Sequence, residues 1–430
     1  MPCLKSLTVD LHQVGKYGLE EVLTGWQQLE GLFTGTQACT GLEVLHVSEI
    51  SISPASVKPS AAILARLPAL KDVSLKMSQT CNTDPSGLVQ QLTSLTSLHL
   101  SSHHDHLSSM FTAAARNPAL QAFSVSYWGQ ESINAAELQH LLTSCTSLTD
   151  LDLDLMEVSQ DALEVLLTHG TKITSLKALA LITETSFADR QCSWRRLKLV
   201  GDECYATVLH WADLPLKGVE VLENGVESLG TLQLPLSSVE PDQLATVLRR
   251  ATTNLAACPA WQAAPDSKIA LHEDPAEPHV HPIFFFPQQR IQLLEALAPL
   301  GGPHVRTFQA SVQDAVFQWG CPELKALARS MNSGQLSTLE LSYCTLTTDF
   351  WAALDEVLPS LSSLSLVSGV TCSAADVAVY CSKRKEGQPF TLTLGDAVYT
   401  AVGGAQLQAA LEAQGPVHVR VARHMQPAMF

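Results

Sequence analysis

The chain has 430 residues, with 26 Lys and Arg against 42 Asp and Glu, giving a formal net charge of −16 at pH 7. That acidic excess argues against nucleic acid or an anionic membrane as the main partner and favours a basic protein surface. Apolar residues make up 46% of the chain, normal for a folded protein. No apolar run approaches the roughly 20 residues needed to span a bilayer; the most apolar stretch is Ile283 to Phe286, set between prolines.

From its start the chain repeats one phrase: leucine, two residues, leucine, one residue, leucine. A weak copy at Leu4/Leu7/Val9 is followed by Leu42/Leu45/Val47, Leu70/Val73/Leu75, Leu95/Leu98/Leu100, Leu120/Phe123/Val125, Leu148/Leu151/Leu153 and Leu176/Leu179/Leu181. First positions from Leu42 to Leu176 are separated by 28, 25, 25, 28 and 28 residues, a periodicity that marks a stacked repeat array. The last two apolar positions of each phrase flank one polar residue, as in Leu151-Asp152-Leu153, the signature of a short half-buried strand. Between phrases, apolar residues recur at helical spacing, as in Leu138/Leu141/Leu142 and Leu163/Leu166/Leu167, which predicts amphipathic return helices. Ser159 and Asp349 suit helix N-caps, and Pro241 a first helical turn. The step from Leu176 to the phrase Trp194/Leu197/Leu199 is only 18 residues, too short for a full repeat, so one of those two phrases is irregular.

After weaker copies around Leu229/Leu232/Leu234, the segment from Cys258 to about Pro303 is rich in Pro, Ala, His and acid. Prolines at that density prevent regular structure over much of it, although Lys268 to Leu271 suits one strand and Gln289 to Leu300 a helix. The expected organisation is a first repeat block at 1–257, a proline-rich insertion or hinge at 258–303, and a second block at 304–430. The second block contains Leu336/Leu339/Leu341 and Leu361/Leu364/Leu366, then strands at Phe390–Leu394 and Val417–Val421 around a helix at Ala405–Leu411.

The phrase resembles that of the leucine-rich repeat family, in its ribonuclease-inhibitor-like and cysteine-containing subclasses. The strongest copies are Leu336-Ser-Thr-Leu-Glu-Leu-Ser-Tyr-Cys344 and Cys145-Thr-Ser-Leu-Thr-Asp-Leu-Asp-Leu153, with Cys39 and Cys145 each three residues before a first leucine. The resemblance implies an α/β leucine-rich repeat solenoid (horseshoe) with a parallel inner β-sheet and outer helices. It departs from the family at the ninth position, usually Asn or Cys. That position is here Ile50, Ser78, His103, Trp128, Met156 and Glu184, with only Cys344 conforming; the repeats are degenerate.

Candidate site residues follow from the strand period of two. Asp150, Asp152 and Asp154 fall on one side of a strand, and Arg195, Arg196 and Lys198 follow two strands further on, with Ser97, Ser101, Ser124, Ser126, Ala178 and Ala180 completing a small, neutral face. Acidic and basic strips of that kind suit docking of a complementary protein by charge. Two histidine-rich stretches are candidate metal ligands, His103/His104/Asp105/His106 and His272 through His281. Neither has the spacing of a strong metal site, and both read as solvated loops.

No phosphate loop, nucleophile elbow, dinucleotide fingerprint or His-Glu-x-x-His motif occurs. The expectation is a non-enzymatic interaction scaffold or adaptor with a protein partner on the concave face, no cofactor, no metal and no small-molecule substrate. The alternatives are substrate recognition in an F-box-type ubiquitin ligase, whose adaptor-binding segment has no room before Leu4, a ciliary or cytoskeletal structural component, and a small-GTPase regulator. The opening Met1-Pro-Cys-Leu-Lys-Ser-Leu shows no secretory signal. Eleven scattered cysteines without a Cys-x-x-Cys pair, and no Asn-x-Ser/Thr site, favour a reducing interior. The expected location is the cytoplasm, with axoneme and nucleus as further options.

Overall fold

The computed structural model describes residues 4–11, 33, 40–104, 106–127, 132–183, 185–199, 208–224, 227–228, 231–235, 241–264, 266–272, 287–311, 317–384, 389–401, 403–412 and 419–423. The chain divides into two compact units, residues 1–185 with 189–201, and residues 186–188 with 202–430.

In the first unit the strands are β1 (Ser6–Asp10), β2 (Val44–Ile50), β3 (Asp72–Met77), β4 (Ser97–Ser102), β5 (Ala122–Tyr127), β6 (Asp150–Val158), β7 (Ser175–Leu181) and β8 (Arg196–Leu199). Each pairs in parallel with the next. Parallel neighbours need a crossover. Between β2 and β7 this is made by helices α1 (Pro54–Leu64), α2 (Ser86–Val89), α3 (Leu107–Ala115), α4 (Ala135–Ser144) and α5 (Gln160–His169). The second and third apolar positions of the phrase stack directly on one another. Leu45, Val73, Leu98, Phe123, Leu151, Leu176 and Leu197 form one continuous buried row. No single repeat could bury these side chains alone; stacking does so.

The register corrects the reading of one repeat. Leu151 pairs with Leu176, and Leu176 with Leu197, so the phrase on β7 is Ile173/Leu176/Ala178 and not Leu176/Leu179/Leu181. The irregular step before Trp194 is thereby resolved, since Ile173 and Trp194 are the equivalent first positions and both are buried. Ala178 and Ala180, expected on the exposed face, lie beneath the sheet, whereas Leu179 is half-buried on the other side.

The irregular ninth position also has a backbone cause. Glu49 and Leu155 adopt left-handed φ of 57° and 62°, each four residues after the second leucine of its phrase. A residue with positive φ turns the chain, so the next side chain, Ile50 or Met156, enters the core. Tyr343 (φ 51°) does the same for Cys344 in the second unit. Repeats without that kink bury the eighth position instead, as Met77, Ser102 and Tyr127. Trp128 and Glu184 lie outside the described residues. Ser159 caps α5 through its hydroxyl, which accepts from the Ala162 amide.

In the second unit, a hairpin of β9 (Val221–Asn224) and β10 (Glu227–Ser228) is antiparallel. A parallel ladder follows, made of β11 (Thr231–Pro235), β12 (Ser267–His272), β13 (Val305–Ser311), β15 (Thr338–Ser342), β17 (Ser363–Leu366), β18 (Phe390–Leu394) and β19 (Val419–Arg423). A short pair, β14 (Phe317–Trp319) and β16 (Cys344–Leu346), lies outside that ladder. The helices are α6 (Val208–Asp213), α7 (Pro241–Ala256), α8 (Pro259–Ala263), α9 (Pro287–Ala296), α10 (Cys321–Ser330), α11 (Thr348–Val357), α12 (Ala374–Lys383), α13 (Asp396–Ala401) and α14 (Gly404–Glu412). The described parts of the proline-rich segment therefore supply α8, the ladder strand β12 and α9. Pro241, Pro259 and Pro287 each open a helix, where a missing N–H costs nothing. The N-cap of α11 is Thr347, and Asp349 sits in its first turn. There the Asp349 carboxylate accepts from the Thr347 hydroxyl and from the Cys321 amide at 3.0 Å, which holds its pKa below the ordinary value.

Two features pin this unit's helices. The guanidinium of Arg290 donates to Glu323 at 3.0 Å with both side chains buried, and Glu323 also accepts from the Gly320 amide at 3.0 Å. Gly301 passes so close to the next repeat that a Cβ there would lie 1.7 Å from the Ser330 carbonyl oxygen. Among the described cysteines all are free thiols, with Cys81, Cys145, Cys258, Cys344 and Cys381 buried. Burial raises the Cys145 thiol to about 11, making it a packing residue and not a nucleophile.

Candidate functional site

Because leucines take one side of each strand, the residues between them line up on the other. In the first unit the ladder brings Thr8, His46, Ser74, His99, Ser124, Asp152, Lys177 and Lys198 into one row, each paired in register with its neighbour. A parallel row runs Ser6, Val44, Asp72, Ser97, Ala122, Asp150, Ser175, Arg196. These side chains are half-buried or exposed, and adjacent strands stand about 4.8 Å apart. Charges two strands apart are thus about 10 Å from one another.

The three aspartates share one face of β6 with alternating burial, Asp150 exposed and Asp152 and Asp154 half-buried. Their cation is Lys177, on the neighbouring strand, whose ammonium lies 3.2 Å from Asp152 Oδ2 and 3.0 Å from Asp154 Oδ1. Burial alone would lower the Lys177 pKa, but its bonds to Asp154 and Asp152 prevail and raise it. Burial raises Asp152 despite the same ammonium. Asp154 also accepts from the Ser126 hydroxyl at 3.4 Å.

Two further groups enter the rows from the other side. His46 Nε2 lies 3.3 Å from Asp72 Oδ1, and His99 Nδ1 lies 2.7 Å from Ser124 Oγ. Burial lowers the His99 pKa against the opposing pull of Asp152 and Asp154.

Of the basic residues expected opposite the aspartates, Lys198 and Arg196 fall in the two rows. Arg195 precedes the first paired position of β8, its amide donating to the Thr174 carbonyl, and its side chain is exposed outside the rows. Lys177, His99, His46 and Asp72 were missed in the sequence. Lys177 was legible in principle. Setting the phrase at Ile173/Leu176/Ala178 makes it the residue between leucine positions, whereas the tempting Leu176/Leu179/Leu181 hides it.

Three cavities open away from these rows and share no residue with them. One of about 210 Å³ borders Cys145, Gly170 and Lys172, another of about 310 Å³ borders Cys192 and Trp194, and a polar groove of about 560 Å³ between α2 and α3 is lined by Asp84, His106 and Arg116 among others. α2, at its edge, is a helix of four residues. His103 follows the end of β4, the His104 amide donates to Ser102 Oγ at 3.1 Å, and His106 precedes α3. Among the described residues, no three His, Cys, Asp or Glu side chains converge as a metal ion would require. Asp105 and Glu273 through His281 lie outside the described residues.

The second unit's ladder presents a different face. Its rows read Thr231, Lys268, Thr307, Thr338, Ser363, Thr391, Arg420, and Gln233, Ala270, Gln309, Glu340, Ser365, Thr393, Ala422. Within them Lys268 reaches Glu340 at 2.8 Å. No helix among the described residues is long and apolar enough to cross a membrane.

No family model and no curated protein sequence matches the chain. Among solved structures it is similar to the leucine-rich repeat-containing protein LegL7 from Legionella pneumophila, at 14% identity over 79% of this chain and 98% of that one, with a TM-score of 0.33. It is also similar to a chain in the Rad7 and Elc1 complex from yeast, at 13% identity over 88% and 91% of the two chains, with a TM-score of 0.29. The architecture itself stands on the ladder register and the strand–helix alternation: each unit is a degenerate leucine-rich repeat array.

Proposed function

We propose that the chain is a non-enzymatic protein-binding scaffold whose partner docks on the helix-free face of the first unit. The observation that carries this reading is the charge row over β6, β7 and β8. Asp150, Asp152 and Asp154 stand beside Lys177, and Arg196 and Lys198 follow one strand further on. Such a row offers many shallow contacts, and charge complementarity sets orientation and partner choice more than raw affinity. A partner fitting it carries basic groups over β6 and acidic groups over β8. Arg195, just outside the rows, extends the basic end.

The test compares affinity capture by the wild type with capture by Asp150→Ala/Asp152→Ala/Asp154→Ala and by Arg195→Ala/Arg196→Ala/Lys198→Ala. Proteins retained by the wild type and lost from both variants, at unchanged circular dichroism, support the reading. Equal retention by all three removes this face from consideration.

A further inference from the structure

The chain's acidic excess is reversed along one edge of the first unit. Helices α1 to α5 each lead into the next strand through a short loop, at residues 65–71, 90–96, 116–121, 145–149 and 170–174. Those loops hold Arg66, Lys71, Arg116 and Lys172 and not one Asp or Glu. All four cations are exposed, and no ion pair among the described residues includes them. The backbone sets the loops side by side. The Thr96 amide donates to the Lys71 carbonyl, Gln121 to Thr96, Thr149 to Gln121, Thr174 to Thr149 and Arg195 to Thr174, each at 2.8 Å. Two of the cations are also tied to the loop before their own: Lys172 Nζ donates to the Thr146 carbonyl at 2.8 Å, and the Arg116 guanidinium to the Gln90 carbonyl at 3.4 Å. Carbonyls near a helix C-terminus hold cations in place without neutralising them. Two equivalent loops of the second unit, 331–337 and 358–362, carry no charge at all, so a helix end does not by itself demand a cation.

We propose that this rim of the first unit binds an extended acidic protein segment laid across the loops. Adjacent strands stand about 4.8 Å apart, so the cation-bearing loops, which alternate with the uncharged 90–96 and 145–149, recur about every 10 Å. An extended chain advances about 10 Å in three residues. A segment with Asp or Glu at every third position therefore meets Arg66 or Lys71, then Arg116, then Lys172, with Arg195 beyond them. Base stacking of nucleic acid calls for exposed aromatic rings, and these loops contain none. A bilayer calls for exposed apolar side chains, and the large ones among the described residues, Val221 and Val379, lie in the second unit. The acids that follow the loops in sequence belong to the sheet face and are engaged there: Asp72 lies 3.3 Å from His46 Nε2, and Asp150 accepts from the Thr149 hydroxyl at 2.7 Å. The rim does not rest on the docking reading above.

The experiment follows the fluorescence anisotropy of labelled decaglutamate titrated with the full chain at low salt. The wild type is expected to bind. Arg66→Ala/Lys71→Ala/Arg116→Ala/Lys172→Ala should bind about tenfold more weakly, since each exposed charge contributes modestly, at unchanged circular dichroism. Should that variant fold poorly, Arg66→Ala/Lys71→Ala and Arg116→Ala/Lys172→Ala are each expected to lose part of the affinity. Lys58→Ala/Lys325→Ala/Lys383→Ala removes exposed cations elsewhere and should match the wild type. No binding by the wild type, or an equal loss in the rim and control variants, overturns the rim. So does tighter binding of decathymidylate or of phosphatidylserine vesicles than of decaglutamate. Partner capture plays no part in this readout, so the rim and the docking reading fail separately.

Discussion

The two units build their ladders from the same leucines and leave opposite kinds of face. Over β6, β7 and β8 of the first unit the residues between leucines are mostly charged: Asp150, Asp152, Lys177, Arg196 and Lys198 crowd onto three adjacent strands. In the second the same positions are mostly hydroxyl or amide groups, Thr307, Thr338, Ser363, Thr391 and Gln309, crossed by the Lys268–Glu340 pair. The difference teaches that the phrase specifies the scaffold and leaves the row between leucines open to variation. Scaffold substitutions should therefore cost stability in either unit, and face substitutions should cost binding in the first.

The largest expected effect is at the buried ion pair of the second unit. Arg290→Ala strands the Glu323 carboxylate, with its 5% exposed side chain, and should cost about 3–5 kcal/mol of unfolding free energy in urea titrations. Next comes the contrast within one strand. Leu151→Ala removes a side chain that is 1% exposed and should cost about 2–5 kcal/mol. Asp150→Ala, one residue away and exposed, should change stability by no more than about 0.5 kcal/mol. Similar losses from both would mean that the two faces of β6 are not energetically distinct.

A smaller effect of opposite sign is expected at Leu155, whose φ of 62° is costly for any residue with a Cβ. Leu155→Gly should raise the thermal midpoint, a gain of about 1 kcal/mol; the same change at Leu153, a fully buried side chain, should lower it.

The smallest effect is the pH dependence of His99. Burial holds its folded pKa below 6.5, so the unfolded chain takes up the proton first. Its contribution to stability is complete above the ordinary value and is lost as pH falls through 6.5 toward the lowered one. Urea midpoints of His99→Gln should be flatter over that window than those of the wild type. An unchanged slope would show that His99 is not differentially protonated.

The strand–helix alternation was legible because burial of leucines at fixed spacing demands it. The row containing Asp150, Asp152 and Asp154 was legible for the same reason, since a strand's period of two needs no tertiary information. What escaped was register. A leucine at Leu179 imitated the phrase and concealed Lys177, and the left-handed residues Glu49, Leu155 and Tyr343, which decide whether the eighth or ninth position is buried, carry no glycine to announce them. The pairing of His99 with Ser124 is likewise invisible in a sequence where they stand 25 residues apart.

The central claim, that partner recognition resides in the residues between the leucines of the first unit, is tested most directly by comparing matched face variants. Binding of a captured partner is measured by calorimetry for Asp150→Ala/Asp152→Ala/Asp154→Ala in the first unit and for Lys268→Ala/Glu340→Ala in the second. The account predicts that the first variant loses binding and the second retains it, both folded. Retention by the first and loss by the second would place recognition on the other unit and contradict it.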